Sequence, residues 1–183
     1  MRKIIYLYFV IFIINCISSG NSILAQQVVS VKNSPRPFSV VAPASWIQQP
    51  PSTGNSRIKF ISPSGTPSAE CAVIVQEYPI LKDIPQSTFD KGMTEGLTIS
   101  EMTEQLSAIA NNVKVFSVAT ANISGHPAQL ANCQYSMGTP SGEVWVRGVY
   151  VTTTTTPGLI WIISCGATGR SPEEAQKGYS YWQ

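Results

Sequence analysis

Apolar positions divide the chain into three kinds of stretch. The first is continuous: Leu159-Ile160-Trp161-Ile162-Ile163 is apolar at every position. Successive side chains of a strand point to opposite faces, so a strand that is apolar throughout must be covered on both. The second kind alternates. "RIKFIS" at 57–62 puts Ile58 and Phe60 on one face, and 38–43, 69–78, 113–124, 128–137 and 143–151 read as further strands. Within 69–78, Ala72-Val73-Ile74-Val75 is again apolar on both faces. In the third kind, Phe89, Met93, Leu97, Met102, Leu106 and Ile109 recur at helical spacing. Ser87 with Asp90, and Thr98 with Glu101, resemble two helix starts, and Gly92 and Gly96 weaken the first half. The pattern therefore predicts two helices, about 87–97 and 99–110. A last helix starts at Ser171-Pro172-Glu173-Glu174, with a serine cap, proline in the first turn and two acids behind it. It is read as ending short at Gln183, about three turns in, with Tyr179, Tyr181 and Trp182 near its end.

These elements predict an α+β fold: an antiparallel sheet of six to seven strands covered by helices. The strands at 113–124, 128–137, 143–151 and 159–166 should follow one another as a meander, with Thr152 to Thr156 at the tip of its last hairpin. In that arrangement Cys133 lies beside Arg147, and Arg147 beside Cys165. The two cysteines are then two strands apart, about 9–10 Å, beyond the roughly 7 Å between Cα atoms that a disulfide tolerates. Cys133 and Cys165 are expected not to pair.

The first residues change the picture of where the protein works. Arg2 and Lys3 precede an unbroken apolar run from Ile4 to Ile14, and small or polar residues follow. This is the order of a secretory signal. The run is too short to cross a bilayer comfortably as a helix. Cleavage is expected after Ala25, with Gly20 as a second option. Asn15 makes a poor lipobox before Cys16, so lipidation there is disfavoured. Residues 26–37 read as a flexible lead-in, and 38–183 as one domain. Of the 12 basic residues two belong to the leader, which leaves ten against 10 acidic ones. A neutral protein without a lysine or arginine cluster lacks the electrostatic footprint for nucleic acid.

Candidate chemistry is sparse. Cys71, Cys133 and Cys165 remain after cleavage, an odd number, in no CxxC or Cys/His arrangement. The bland reading makes them small buried hydrophobes, and no metal or cofactor is implied. His126, the one histidine, lies in a Gly-His-Pro turn without a local nucleophile or carboxylate. No GxSxG, HExxH, P-loop or GxGxxG is present. Glu70 and Glu77 point to opposite faces, and Glu101 with Glu104 reads as a solvated helix face. Trp145 and Arg147 share one face of their strand. If a helix covers that face they are core, with a buried cation–π contact or ion pair; if not, they form a partner patch. Thr153, Thr154 and Thr155 are candidates for the same contact surface, although β-propensity alone explains a threonine run.

The order of parts carries a resemblance. "FSVVAPASWIQQ" is similar to an opening strand followed by proline, a small residue and tryptophan. A strand pair and a helical segment follow, then "ISGHPAQLANCQYS", a strand, a Gly-x-Pro-Ala turn and a return strand. The hairpin "VWVRGVYV…GLIWIISCGAT" and a helix opening "SPEEAQ" complete it. On these segments 38–183 resembles the Mog1/PsbP-like superfamily, including the bacterial DUF1795 (DcrB-like) proteins. The resemblance implies an α/β/α sandwich and binding of partner proteins: a Ran GTPase, photosystem II or client transmembrane segments in known members. It implies no shared catalytic residues, and Mog1's charged surface clusters have no counterpart here. The expectation is a periplasmic or secreted, non-catalytic accessory protein that contacts an envelope or membrane-associated partner, with peripheral membrane association in keeping. A carrier of a small molecule or lipid between sheet and helices is the alternative. An enzyme assembled from His126, Cys133 and Arg147 is a more distant one.

Overall fold

The computed structural model describes residues 8–9, 26–31, 38–50 and 56–182. The expected leader, its cut after Ala25 and Cys16 therefore lie outside the described residues, apart from Tyr8–Phe9. The elements in order are β1 (Tyr8–Phe9), β2 (Gln26–Val31), β3 (Phe38–Pro43), β4 (Ile47–Gln49), β5 (Ser56–Ile61), β6 (Ala69–Glu77), α1 (Gln86–Glu95), α2 (Ile99–Ser107), β7 (Asn111–Ile123), β8 (His126–Thr139), β9 (Gly142–Thr156), β10 (Leu159–Gly169) and α3 (Pro172–Trp182). Seven strands form one sheet in the order β4-β5-β6-β10-β9-β8-β7. Every pairing in it is antiparallel. The expected meander is β7 to β10, and it continues onto β6.

The continuous apolar run lies in β10, flanked by β6 and β9. Leu159, Trp161 and Ile163 are buried on one face, in a core with Phe60, Val73 and Val75. Ile162 is buried on the other face, and Ile160 is half-buried there. The first face is closed at one end by α3, which packs through Ala175 and Gly178. A Cβ added at Gly178 would lie 2.9 Å from that of Ala167, so this close approach needs glycine. Beside it, a Cβ at Gly148 on β9 would run into the backbone of Cys165 and Gly166. The second face carries α2, whose Met102 and Leu106 are buried against Val115, Ala131 and Cys133.

The two-helix reading of 87–110 holds because the backbone breaks at Gly96, whose φ of +74° favours glycine. Thr98 then caps α2. Its hydroxyl accepts from the Glu101 amide at 3.2 Å, and the Glu101 carboxylate accepts from the Thr98 amide at 2.8 Å. The Thr98 amide and hydroxyl, both donating to that carboxylate, hold it below its ordinary pKa.

Three expectations need correction. The strand at 38–43 does not join the main sheet. It forms a separate small sheet with β2, antiparallel, and with β1, parallel. Its inward residues Phe38, Val40 and Ala42 are buried on the Trp161 core, so strands as well as a helix cover that face. A one-faced alternating pattern fits a strand in the sheet and a strand packed on it equally well. Gln26–Val31, read as part of a flexible lead-in, is the partner strand β2. There Gln27 Nε2 donates to the carbonyls of Pro43, at 3.0 Å, and Trp46, at 2.7 Å.

The cysteines are the third correction. Cys71 on β6 and Cys165 on β10 are directly opposed, with Cα atoms 4.1 Å apart, and form a disulfide. Cys133 is free and buried, and does not pair with Cys165. The bland reading fails for the first two because the meander says nothing about which strand lies on the far side of β10. The bridge joins residues 94 apart, so it removes much freedom from the unfolded state. Cys71→Ala with Cys165→Ala is expected to lower the unfolding free energy by about 2–4 kcal/mol. Denaturant titration checks this, and the native protein should lose a similar amount when reductant is added.

Candidate functional site

Arg147 is the centre of the most unusual arrangement in the fold. It projects from β9 on the face that α3 covers and is 7 % exposed. Its guanidinium lies over two rings, with its carbon 4.3 Å from the Phe116 centroid and 4.2 Å from that of Tyr179. Such stacking is favourable for an arginine out of water. Nε donates to Gln176 Oε1 at 2.9 Å. Nη1 donates to Asn132 Oδ1 and, at 3.3 Å, to the Cys133 carbonyl. Asn132 is oriented in turn by donating from Nδ2 to the Tyr179 hydroxyl at 3.2 Å. Of the two core alternatives for Arg147, the cation–π contact is present.

Each partner is placed by a local feature of its element. Phe116 is there because β7 is bulged. Val115 pairs with Cys133 and Ser117 with Asn132, so Phe116 is an extra residue, opposed by none on β8. A bulge of this kind re-aims a side chain. Phe116 stays 40 % exposed and forms the rim. Gln176 and Tyr179 come from α3, one turn apart. Lys114 shares the cross-strand row of Gln134 and Arg147, and its Nζ lies 5.0 Å from the Phe116 centroid.

The other predicted contact residues fare differently. Trp145 is half-buried on the Arg147 face. Thr153 and Thr154 are buried, so they offer no accessible surface. Thr152 to Thr156 do not form a tip, because β9 runs to Thr156 and the turn is only Pro157-Gly158. The threonines instead join elements. Thr153 Oγ1 donates to the Pro127 carbonyl at 2.8 Å, and Thr155 Oγ1, half-buried, accepts from Trp161 Nε1 at 3.0 Å. The Thr154 carbonyl accepts from Gln86 Nε2 on α1 at 2.6 Å.

His126, Cys133 and Arg147 are not brought together as a catalytic set. His126 opens β8, with Nδ1 3.7 Å from Asp90 Oδ1 on α1. Cys133 lies seven residues further along that strand, about 23 Å away. Arg147 meets only the carbonyl of Cys133. Burial pushes the Cys133 thiol up from 9.0 to about 11, with the Arg147 charge opposing it in part. Sequence reasoning missed Phe116, Asn132, Gln176 and Tyr179. One signal was available: the alternation of Val113 and Val115 slips by one before Val118, as a bulge requires.

No family model matches the sequence, and no curated protein matches it. Solved structures resemble it, among them the following three. PsbP (CyanoP) from the cyanobacterium Synechocystis sp. PCC 6803 is 12 % identical at a TM-score of 0.47, over 91 % of this protein and 93 % of that one. LpqN, involved in cell envelope biogenesis of Mycobacterium tuberculosis, is 13 % identical at 0.47, over 86 % and 85 %. PA94, a protein of unknown function from Pseudomonas aeruginosa, is 17 % identical at 0.43, over 86 % and 90 %. The seven-stranded antiparallel sheet with its helices has the α+β layout expected from the sequence. At these identities and TM-scores the overlap carries no statement about the family, activity or partners of this protein.

The raised thiol has a consequence for stability. A group whose pKa is higher in the folded state contributes stability below its unfolded value and loses it as pH rises through the folded one. Unfolding free energy should therefore fall between about pH 9 and 11, by roughly 2 kcal/mol for Cys133 alone. The Tyr135 and Tyr150 phenols, also raised chiefly by burial, act in the same direction. Denaturant titrations across this range check it, and Cys133→Ala should flatten the first part of the decline.

Proposed function

We propose that this is an exported, non-catalytic accessory protein that acts by holding a protein of the cell envelope. The observation that carries the reading is the cluster of Phe116, Arg147 and Tyr179 reaching the surface at the β7 side of the sheet. Aromatic residues and arginine are the types that concentrate binding energy at interfaces, above all where they are pre-stacked and largely desolvated. Trp145, on the same strand face as Arg147, extends this surface.

Two further features favour export. The leader pattern at 1–25 is that of a secretory signal. The Cys71–Cys165 bridge suits an oxidising compartment. Among the described residues no helix is long and apolar enough to cross a membrane. The carrier reading finds less support, because Met102 and Leu106 fill the layer between α2 and the sheet as packed core.

A photo-crosslinking residue placed at Phe116 should capture one defined envelope protein in cells, identified by mass spectrometry. The same residue placed at Glu104, exposed on α2, serves as the comparison and should not capture it. Equal capture at both positions, or none at Phe116, would contradict the proposal.

A further inference from the structure

Arg147 is a nearly buried cation that no carboxylate of the described residues balances. Charged side chains are rarely so enclosed unless paired, because taking a charge out of water is costly. All 10 Asp and Glu residues of the sequence fall within the described residues. The ion pairs among them are Lys59–Glu70 and Lys91–Glu95, Asp90 lies beside His126, and none reaches Arg147. The acceptors it does meet are an asparagine, a glutamine and one backbone carbonyl, all neutral. Glu143 lies on the same strand face, but its carboxylate accepts from Ser136 Oγ at 2.8 Å and from Asn112 Nδ2 at 3.2 Å.

The bonds of the guanidinium run through Nε and Nη1, and Nη2 makes none among the described residues. The sealed, unpartnered polar atoms among the described residues are Trp46 Nε1, Gln86 Oε1, His126 Nδ1 and Thr154 Oγ1. Arg147 itself keeps 7 % of its surface exposed, beside the 40 % exposed Phe116. Phe116 and Tyr179 both lie against the group, with ring centroids 4.3 and 4.2 Å from its carbon. The exposed Lys114 stands on the same rim beside Phe116. A donor pair is thus held in place, stripped of most of its water and supported by a second positive charge.

The geometry points to Arg147 Nη2 as the receptor for one carboxylate of a partner protein, an Asp or Glu side chain or that protein's free C-terminus. This rests on the reading that the Phe116 face holds a partner. A carboxylate fits better than a phosphate. It carries a single charge, and one free guanidinium nitrogen with one lysine nearby is less than the arginine clusters that phosphate groups usually meet. The bound carboxylate would supply the counter-charge that the protein itself does not provide.

The test is a titration of the purified, 15N-labelled protein with sodium acetate, inorganic phosphate or sodium chloride at matched ionic strength. The signals followed are the Arg147 Nε–Hε pair and the Tyr179 ring. Acetate should give a saturable shift at both, with no saturable response to chloride and a weaker one to phosphate. Arg147→Gln should abolish it. Lys114→Gln, an exposed change that leaves the fold intact, should weaken acetate binding about twofold. An Arg147 signal that acetate leaves unchanged, or that phosphate saturates at lower concentration, overturns the assignment. Crosslinking at Phe116 without an acetate response would sink this inference and leave the partner-binding reading standing. An acetate response without any crosslinked partner would leave Arg147 as a carboxylate site and sink a partner protein as the source of that carboxylate.

Discussion

The structure depends on β10 being covered on both faces. Five consecutive apolar side chains cannot be satisfied by one core, because a strand turns them alternately up and down. Placing β10 between β6 and β9 gives it neighbours on both edges, and the layers above and below follow from that position. On one side Trp161 and Ile163 are met by α3 and the small β2–β3 sheet. On the other, α1 and α2 lie over the β7–β9 side. The closeness of α3 depends on small residues, Gly178 on Ala167, and this close packing brings Tyr179 and Gln176 down onto Arg147.

The site is thus a by-product of how the sheet is closed. Arg147 lies on a face where its row neighbours toward β6 are Ala167 and Ala69, both small and buried. Toward β7 the row ends in Gln134 and Lys114, and a bulge brings Phe116 over the guanidinium. One end of the row is therefore core and the other is surface. A charge placed at that boundary keeps its aliphatic stem in packing and its head near water. The unusual part is that every acceptor facing it is neutral.

Much of this layout was legible from hydrophobic period alone. The run at 159–163 announced a strand covered twice, and the alternating stretches on either side of it announced the meander. The capping pair Thr98 and Glu101 marked the start of α2, and Gly96 the break before it. What could not be read is which elements meet across the layers. The pattern of 38–43 fits a strand in the sheet or on it, and only packing places it on the Trp161 core. Cys71 and Cys165 became partners because β6 borders β10, a choice that local spacing does not encode. Thr153 and Thr154 look like an exposed tip until the length of β9 carries them into the interior. Arg147 was visible as a candidate, with two outcomes open. The stacking contact needed Tyr179, which lies 32 positions away on a helix.

Arg147 carries a charge that the protein itself leaves without a counter-charge, and the proposed role of the site rests on that. Asn132 already accepts from Nη1, so Asn132→Asp would put a carboxylate on the guanidinium with little change of shape. The most direct measurement is the unfolding free energy of that variant. If the charge is unbalanced, the new pair should raise stability by on the order of 1 kcal/mol at neutral pH, with the gain lost as the pH falls and the new carboxylate is protonated. A variant that is destabilised at neutral pH, or whose stability shows no such dependence on pH, would contradict it.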